Sequence, residues 1–331
     1  MLDREGSWGE WPFLNRLEKP MEKKRLSNFW ILILFGLFLF LLPFVTPYRS
    51  LASQMLIYAI FAIGYDIVFG YTGLLSFGHA AFFGLGAYGT GLTLIHLSLP
   101  TLLGILFGIL ISILLAFPIG YLSIRRRGIY FAMVTLAFAQ MLYFIAFKWR
   151  SLTGGDDGLH GVPRLPLGFI HLQSELIFYY FILIFFILSL MLGIRIIQSP
   201  FGKTLECIRE NEERARSIGY NPNKFKLISF VISAFFAGLA GSLYSLLQNF
   251  VPLFTLNLDT SGDIVLMTLI GGKGTLYGPI LGAMAIVLLK DLLSTYTNIW
   301  PLCLGLLFIF FVMTFREGVF KELKEKFFKF L

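Results

Sequence analysis

Nine apolar runs, each close to the length that crosses a bilayer, follow one another along the chain near residues 28–46, 51–69, 75–97, 101–123, 128–147, 175–197, 226–249, 278–295 and 298–315, with a shorter apolar piece at 262–271. A helix needs about 20 mostly apolar residues to span a hydrocarbon core roughly 30 Å thick. With 57% hydrophobic residues, 14% charged residues and a mean hydropathy of +0.78, the runs leave no room for a sizeable soluble domain. The fold class is therefore all-α: a polytopic integral membrane protein of about ten transmembrane helices, some short or broken.

The short piece at 262–271 decides the topology. If it crosses, both ends of the chain lie on one side. The basic residues then divide sharply, with 22 of 27 in the segments assigned to the inside and only Arg49, Lys148, Arg150, Arg164 and Lys290 outside. That excess is the positive-inside pattern, so both termini are expected in the cytoplasm. A polar segment at 1–27, a membrane region at 28–315 and a basic tail at 316–331 follow. The run after residue 27 is long for a signal-peptide core, and no small-residue cleavage site follows it before Pro47, so it reads as a retained first span.

Glycine gives the membrane region its internal organisation. Residues 64–92 place it at 64, 70, 73, 78, 84, 86, 89 and 91, with Asp66 as the one formal charge. Each glycine in a helix interior costs about 1 kcal/mol against alanine. In a membrane, close backbone approach offsets that cost, and a glycine-broken helix can line a polar path. A second cluster at 271–283 echoes the first, with Gly70, Gly73 and Gly78 pairing loosely with Gly271, Gly274 and Gly278. Two interrupted hydrophobic segments in one chain point to a transport pathway, and Gly70, Gly73, Ser76, Gly78, His79, Gly271, Gly272, Gly274 and Gly278 are the candidate pathway-lining or helix-breaking positions. Asp66 admits two readings, a proton relay or a carboxylate bonded to nearby backbone at the Gly70 break. Its place near the cytoplasmic end favours the second.

Two connections exceed a turn. The outer one, 148–174, is rich in Gly, Pro and Asp, with Thr153, Gly154, Gly155, Asp156 and Asp157 at its centre; it reads as an ordered loop able to meet an external partner. In the inner one, 198–224, Ser199-Pro200 marks a helix start and Gly219 before Asn221-Pro222 a stop. A short charged helix is expected between them, with Leu205, Ile208, Ala215 and Ile218 as its apolar members. It is too polar to cross and too short to stand alone, so it needs a surface to dock on.

Other chemistry finds little footing. Gly202-Lys203-Thr204 ends like a phosphate-binding loop, but the glycine required five residues earlier is Ile197. The histidines at 79, 96, 160 and 171 include no metal-ligand pair, and the two cysteines have no framework spacing. No cofactor, metal or catalytic residue is expected, and the +8 net charge is explained by orientation in the membrane rather than by nucleic acid.

Several stretches together resemble a known family: GYTGLLSFGHAAFFGLGAY at 70–88, RGIYFAMVTLAFAQ at 127–140, LTGGDDGL at 152–159, FKLISFVISAFFAGLAGSLY at 225–244 and LIGGKGTLYGPILGA at 269–283. These are similar to the permease subunits of branched-chain amino acid ABC importers, of the LivM type. The resemblance implies an ABC importer permease fold for 28–315. It also implies a second permease subunit of the H type, two cytoplasmic ABC ATPase subunits and an extracytoplasmic substrate-binding protein as partners, beside membrane lipid and an amino acid substrate. It makes 198–224 the ATPase-coupling loop, where Glu213, Ala215 and Gly219 keep the spacing of the family's Glu-Ala-Ala and glycine pattern, Arg214 replaces its middle alanine, and Arg209 and Glu212 stand alongside. Urea or short-chain amide permeases are the nearest variants. An ion-coupled secondary transporter or channel is the alternative from another class.

Overall fold

The computed structural model describes residues 36–165, 172–297 and 299–314. The polar segment 1–27 and the basic tail 316–331 lie outside the described residues. The chain divides into two units, Met1–Val45 and Thr46–Leu331. The described part of the first is one apolar helix, α1 (Gly36–Val45).

The second unit is almost wholly helical. Its elements are α2 (Arg49–Asp66) running into a π-helical turn (Ile67–Tyr71), α3 (His79–His96), α4 (Thr101–Ser123), α5 (Ile129–Lys148) and the short α6 (Arg150–Thr153). Then come α7 (Glu175–Gln198), α8 (Pro200–Glu210), α9 (Glu212–Ser217), α10 (Pro222–Gln248), α11 (Leu258–Gly271), α12 (Tyr277–Tyr296) and α13 (Trp300–Thr314). Among the described residues, six helices are long and apolar enough to cross a membrane: α2 with its π turn, α4, α5, α7, α10 and α12. The expected crossing at 75–97 begins late, at His79, because residues 72–78 leave the helix. The short piece at 262–271 is the end of α11, 14 residues or about 21 Å at 1.5 Å per residue. A 3-10 turn at Leu253–Leu256 precedes it and lengthens the path.

Local chemistry sets the ends as the sequence suggests. Pro200 and Pro222 occupy the first helical turn of α8 and α10, where a missing N–H costs nothing, and the Ser199 hydroxyl and Asn221 amide oxygen accept from Gly202 N and Lys224 N. α10 stops at Asn249, which takes a left-handed φ of 52°.

α2 and α10 form the centre, with 89% and 72% of their apolar windows buried against 33–44% for α4, α5, α7 and α12, whose remaining faces are apolar and outward. α3 threads between α10 and α4 by virtue of its glycines. A Cβ on Gly86 would strike the Gly238 backbone, and one on Gly241 would strike the Phe83 carbonyl. Hydroxyls lace the same seam: Ser112 donates to Phe82 O at 2.9 Å and Ser242 to Gly86 O at 3.3 Å. Small residues with interhelical hydroxyl bonds are how helices associate where lipid removes the hydrophobic drive. Much of the glycine in 64–92 therefore serves packing.

Contacts sort the connections into two ends. At one, β1 (Leu159–His160) pairs antiparallel with β2 (Phe250–Val251), a small ribbon absent from the all-α expectation, and Thr101 and Arg164 bond to Leu165 and Leu246–Leu247 carbonyls. At the other, the π turn, the 124–128 turn, α8–α9 and the 272–276 loop meet. This sorting is what alternate crossings require.

Replacing Gly241 by Val should destabilise the protein by about 1–3 kcal/mol or more, the usual cost of overpacking. Gly305→Ala, where nothing lies within 4 Å, should be neutral or gain up to about 1 kcal/mol. Thermal unfolding in detergent, followed by loss of the monodisperse elution peak, checks both.

Candidate functional site

The two glycine clusters meet at one point, and Asp66 joins them. As α2 loosens into its π turn, the Asp66 carboxylate is left fully buried, lying over Gly70. Its Oδ1 accepts from Gly274 N at 2.7 Å and its Oδ2 from Leu276 N at 3.1 Å, more than 200 residues along the chain. The 272–276 loop aims those N–H groups by left-handed turns at Gly272 (φ 105°), Gly274 (φ 75°) and Leu276 (φ 58°). For Leu276 that conformation is strained, by about 1–3 kcal/mol, and persists because the surroundings fix it. Thr275 closes the loop, donating to Gly272 O at 2.7 Å and accepting from Gly278 N at 3.1 Å.

Gly70 stands where no side chain fits: its Cβ would overlap the Asp66 carboxylate and Gly274 N. Its carbonyl accepts from Arg209 Nη1, at the end of α8, at 2.5 Å. Gly73 (φ 79°) passes over the Arg209 side chain, and the Lys273 ammonium lies 5.3 Å from the Phe69 ring centre. Gly271 and Gly278 abut backbone to backbone, so that a Cβ on either would enter the other. Thus the π turn, the glycine loop and α8 interlock at a single joint. The sequence reading that Asp66 bonds backbone at the Gly70 break holds, with the donors supplied by the second glycine loop. An acid at the broken end of one glycine helix, facing a second glycine loop, was the available signal.

Gly78, Ser76 and His79 lie deeper. The His79 ring is fully buried; Nδ1 pairs with Ser76 Oγ at 2.9 Å and Nε2 with Ser233 Oγ at 2.8 Å, and Tyr65, Phe82 and Phe230 surround it edge-on. Tyr65 donates to Ser76 O at 2.9 Å. In this conformation both ring nitrogens are used, so His79 pins α3 to α2 and α10. A Cβ on Gly78 would press 2.6 Å from Thr135 O of α5.

The inner connection is two helices rather than the one expected. Asn211 leaves helical geometry (φ −156°, ψ 102°), and its side-chain oxygen caps α9 by accepting from Arg214 N at 2.9 Å. Leu205, Ile208 and Ala215 are buried as foreseen, whereas Ile218, the capping residue just past the last turn of α9, is 64% exposed. Tyr220 N bonds Ala215 O and Gly219 N bonds Arg216 O, a Schellman ending with Gly219 at φ 95°. Glu212 fastens α9 to its surroundings through Lys226 of α10 at 2.9 Å and Arg127 of the 124–128 turn at 3.3 Å, and pairs within α9 with Arg216 at 3.6 Å. Burial raises its pKa, but the Lys226 hydrogen bond and the three cations outweigh this and hold it below the usual 4.5. Glu213, Arg214, Ser217, Ile218, Gly219 and Tyr220 face outward.

At the other end, Thr153 donates to Ala146 O at 2.5 Å and Trp149 O at 2.9 Å, while Gly154, Gly155 and Gly158 all take left-handed turns. These turns present Asp156 and Asp157 side by side and exposed. His160 stacks on Phe250 at 4.4 Å beside them. Arg164 nearby has its pKa lowered by burial, partly offset by Glu175. Among the described residues, no three His, Cys, Asp or Glu side chains gather as metal ligands.

A family model described as the branched-chain amino acid transport system permease component matches residues 48–315. The chain is 28% identical over 302 residues to the high-affinity branched-chain amino acid transport system permease protein LivM of Salmonella typhimurium, covering 84% of this chain and 71% of that protein. Against the protein of the same name from Escherichia coli it is 29% identical over 293 residues, covering 82% and 69%. No solved structure matches the chain.

Asp66→Asn keeps the shape but offers one acceptor in place of two, and should cost about 1–3 kcal/mol, read as a lower unfolding temperature and faster amide exchange in 272–276. Because the folded pKa of Glu212 is depressed, its contribution is complete above 4.5 and is lost as pH falls through the lower folded value. Amide protection of α9 should fall correspondingly in acid, and Glu212→Gln should remove that pH dependence.

Proposed function

The chain belongs to the branched-chain amino acid transport permease family, and from that membership we propose that it is the M-type translocating subunit of an ATP-driven importer for leucine, isoleucine and valine. It is a multi-pass membrane permease, and its part is translocation rather than catalysis. An H-type permease subunit, two cytoplasmic ABC ATPases and an extracytoplasmic binding protein complete the importer. ATP is hydrolysed by the partners, and the α8–α9 end, which gathers Arg125, Arg126, Arg127 and the basic residues of 195–226, faces the cytoplasm together with both termini.

One observation carries the mechanism: α8–α9 is tied inward by Glu212 and Arg209 and is open outward at Glu213, Arg214 and Gly219. An ATPase docks on the outward face. When the ATPases close, α9 moves with them, and Arg209 carries the displacement to the Gly70 carbonyl. Asp66 passes it on to the 272–276 loop, so that both glycine-broken segments shift together and the pathway changes from outward to inward access. In this role Gly70, Gly73, Gly271, Gly272, Gly274 and Gly278 are hinges beside the pathway. Ser76, Gly78 and His79 hold the helix that pivots there. Outside, the rigid turn bearing Asp156 and Asp157 is the docking point for the binding protein.

The test is uptake by the whole importer reconstituted in vesicles. Gly219→Pro should abolish leucine uptake with membrane insertion intact, since a φ of 95° is closed to proline. Arg209→Ala should lower leucine imported per ATP hydrolysed about tenfold, the equivalent of one charge-assisted hydrogen bond worth roughly 1.5–3 kcal/mol. Unchanged uptake in both would overturn the coupling route, and uptake with no ATPase present would overturn the importer reading itself.

A further inference from the structure

Among the described residues, four of the five ion pairs sit at the α8–α9 end. The fifth stands apart, between α12 and α11, where Lys290 meets Asp263. Lys290 lies six residues before the end of α12 and Asp263 five after the start of α11, depths of roughly 9 and 8 Å at 1.5 Å per residue. Both helices thus put the pair at the same level, toward the end of the bundle opposite the Asp66 joint.

Charges at that depth are costly and are kept where they face a polar path. The side chains of Lys290 and Asp263 remain 26% and 20% exposed, so the pair is not sealed in the core. Gly262, the residue before Asp263, has nothing within 4 Å of its Cβ position, so the helix surface there is open. Aromatic rings lie near the pair. Tyr58 of α2 is within electrostatic range of Asp263, stacks on Phe83 and meets Tyr244 edge-on, while the Trp300 ring lies 5.9 Å from the Lys290 ammonium. Tyr58 is itself partly exposed, although Phe61 and Tyr65 on the same helix are fully buried.

We propose that this pair is a transit site for the zwitterionic head of an amino acid, a proposal that rests on the amino-acid importer reading above. The substrate carboxylate takes Lys290 and its ammonium takes Asp263, so one ion pair opens into two and no charge is left unpaired at any stage. Such an exchange is close to balanced, because leaving a buried charge without a partner is the expensive event. A site that must also release its ligand needs binding of that modest kind. The aliphatic side chain lies on Tyr58 and Tyr244, over the gap at Gly262. Urea and simple amides carry no separated charges and gain nothing from opening the pair, so the site selects for amino acids within the wider substrate range of such permeases.

The test uses the complete importer with its binding protein in vesicles, leucine as the probe, and subunit co-elution as the measure of assembly. The neutral pair Asp263→Asn with Lys290→Gln should lower leucine imported per ATP hydrolysed by about tenfold or more, as for a lost charge-assisted bond. The reversed pair, Asp263→Lys with Lys290→Asp, restores the tie between α11 and α12 but turns the site end for end, and should stay impaired. Uptake within about twofold of the unaltered importer, a fraction of the roughly 1.5–3 kcal/mol such a bond is worth, in either assembled variant would overturn the transit site and leave a mere helix tie. If the neutral pair does not assemble, the reversed pair decides by the same criterion. An unaltered importer that takes up no leucine would instead overturn the amino-acid reading beneath the proposal.

Discussion

One carboxylate holds together the end of the bundle where α8 and α9 lie. Asp66 emerges where α2 unwinds, and the two N–H groups that satisfy it belong to Gly274 and Leu276. A buried carboxylate without partners is costly, whereas hydrogen bonds to its charged form are among the strongest a protein makes. The left-handed turns of 272–276 exist to aim those donors, and Gly70 lacks a side chain because the carboxylate and the loop already occupy the space. Arg209 then finds the Gly70 carbonyl free to accept, since a helix that loosens there has released it. α8, α2 with its π turn and the second glycine segment consequently form one interlocked unit.

That unit explains why glycine is spent so freely in this chain. At Gly86, Gly238 and Gly241 it lets α3 and α10 approach backbone to backbone, a rigid seam strengthened by serine hydroxyls. At Gly272 and Gly274 it supplies conformations closed to most side chains. The first use stiffens the centre of the bundle and the second leaves its inner end able to turn. The two uses together give a bundle of stiff helices separated by defined breaks.

Much of this was legible in the sequence. Apolar runs fixed the membrane class, Pro200, Ser199, Asn221 and Gly219 marked the helix ends in the inner loop, and the paired glycine clusters marked the breaks. Each is a local signal, carried by residues that act through their own backbone. The split of the 198–224 loop at Asn211 was missed because the charged residues on either side continue one helical pattern, while the Asn211 cap and the docking of α9 by Glu212 favour the interruption. The ribbon between Leu159–His160 and Phe250–Val251 was also missed, since two residues a side give no periodicity to read.

Hydropathy, charge bias and motif spacing, all properties of short windows, determined by themselves that the chain spans a membrane many times, which loops face the same side and which family it resembles. Tertiary structure alone decided what the intramembrane charges do. Asp66 meets donors more than 200 residues away, and Asp263 meets Lys290 across two helices. The physical reason is that a charge in a membrane must find a partner in three dimensions, and nothing in a linear window records which one it will be.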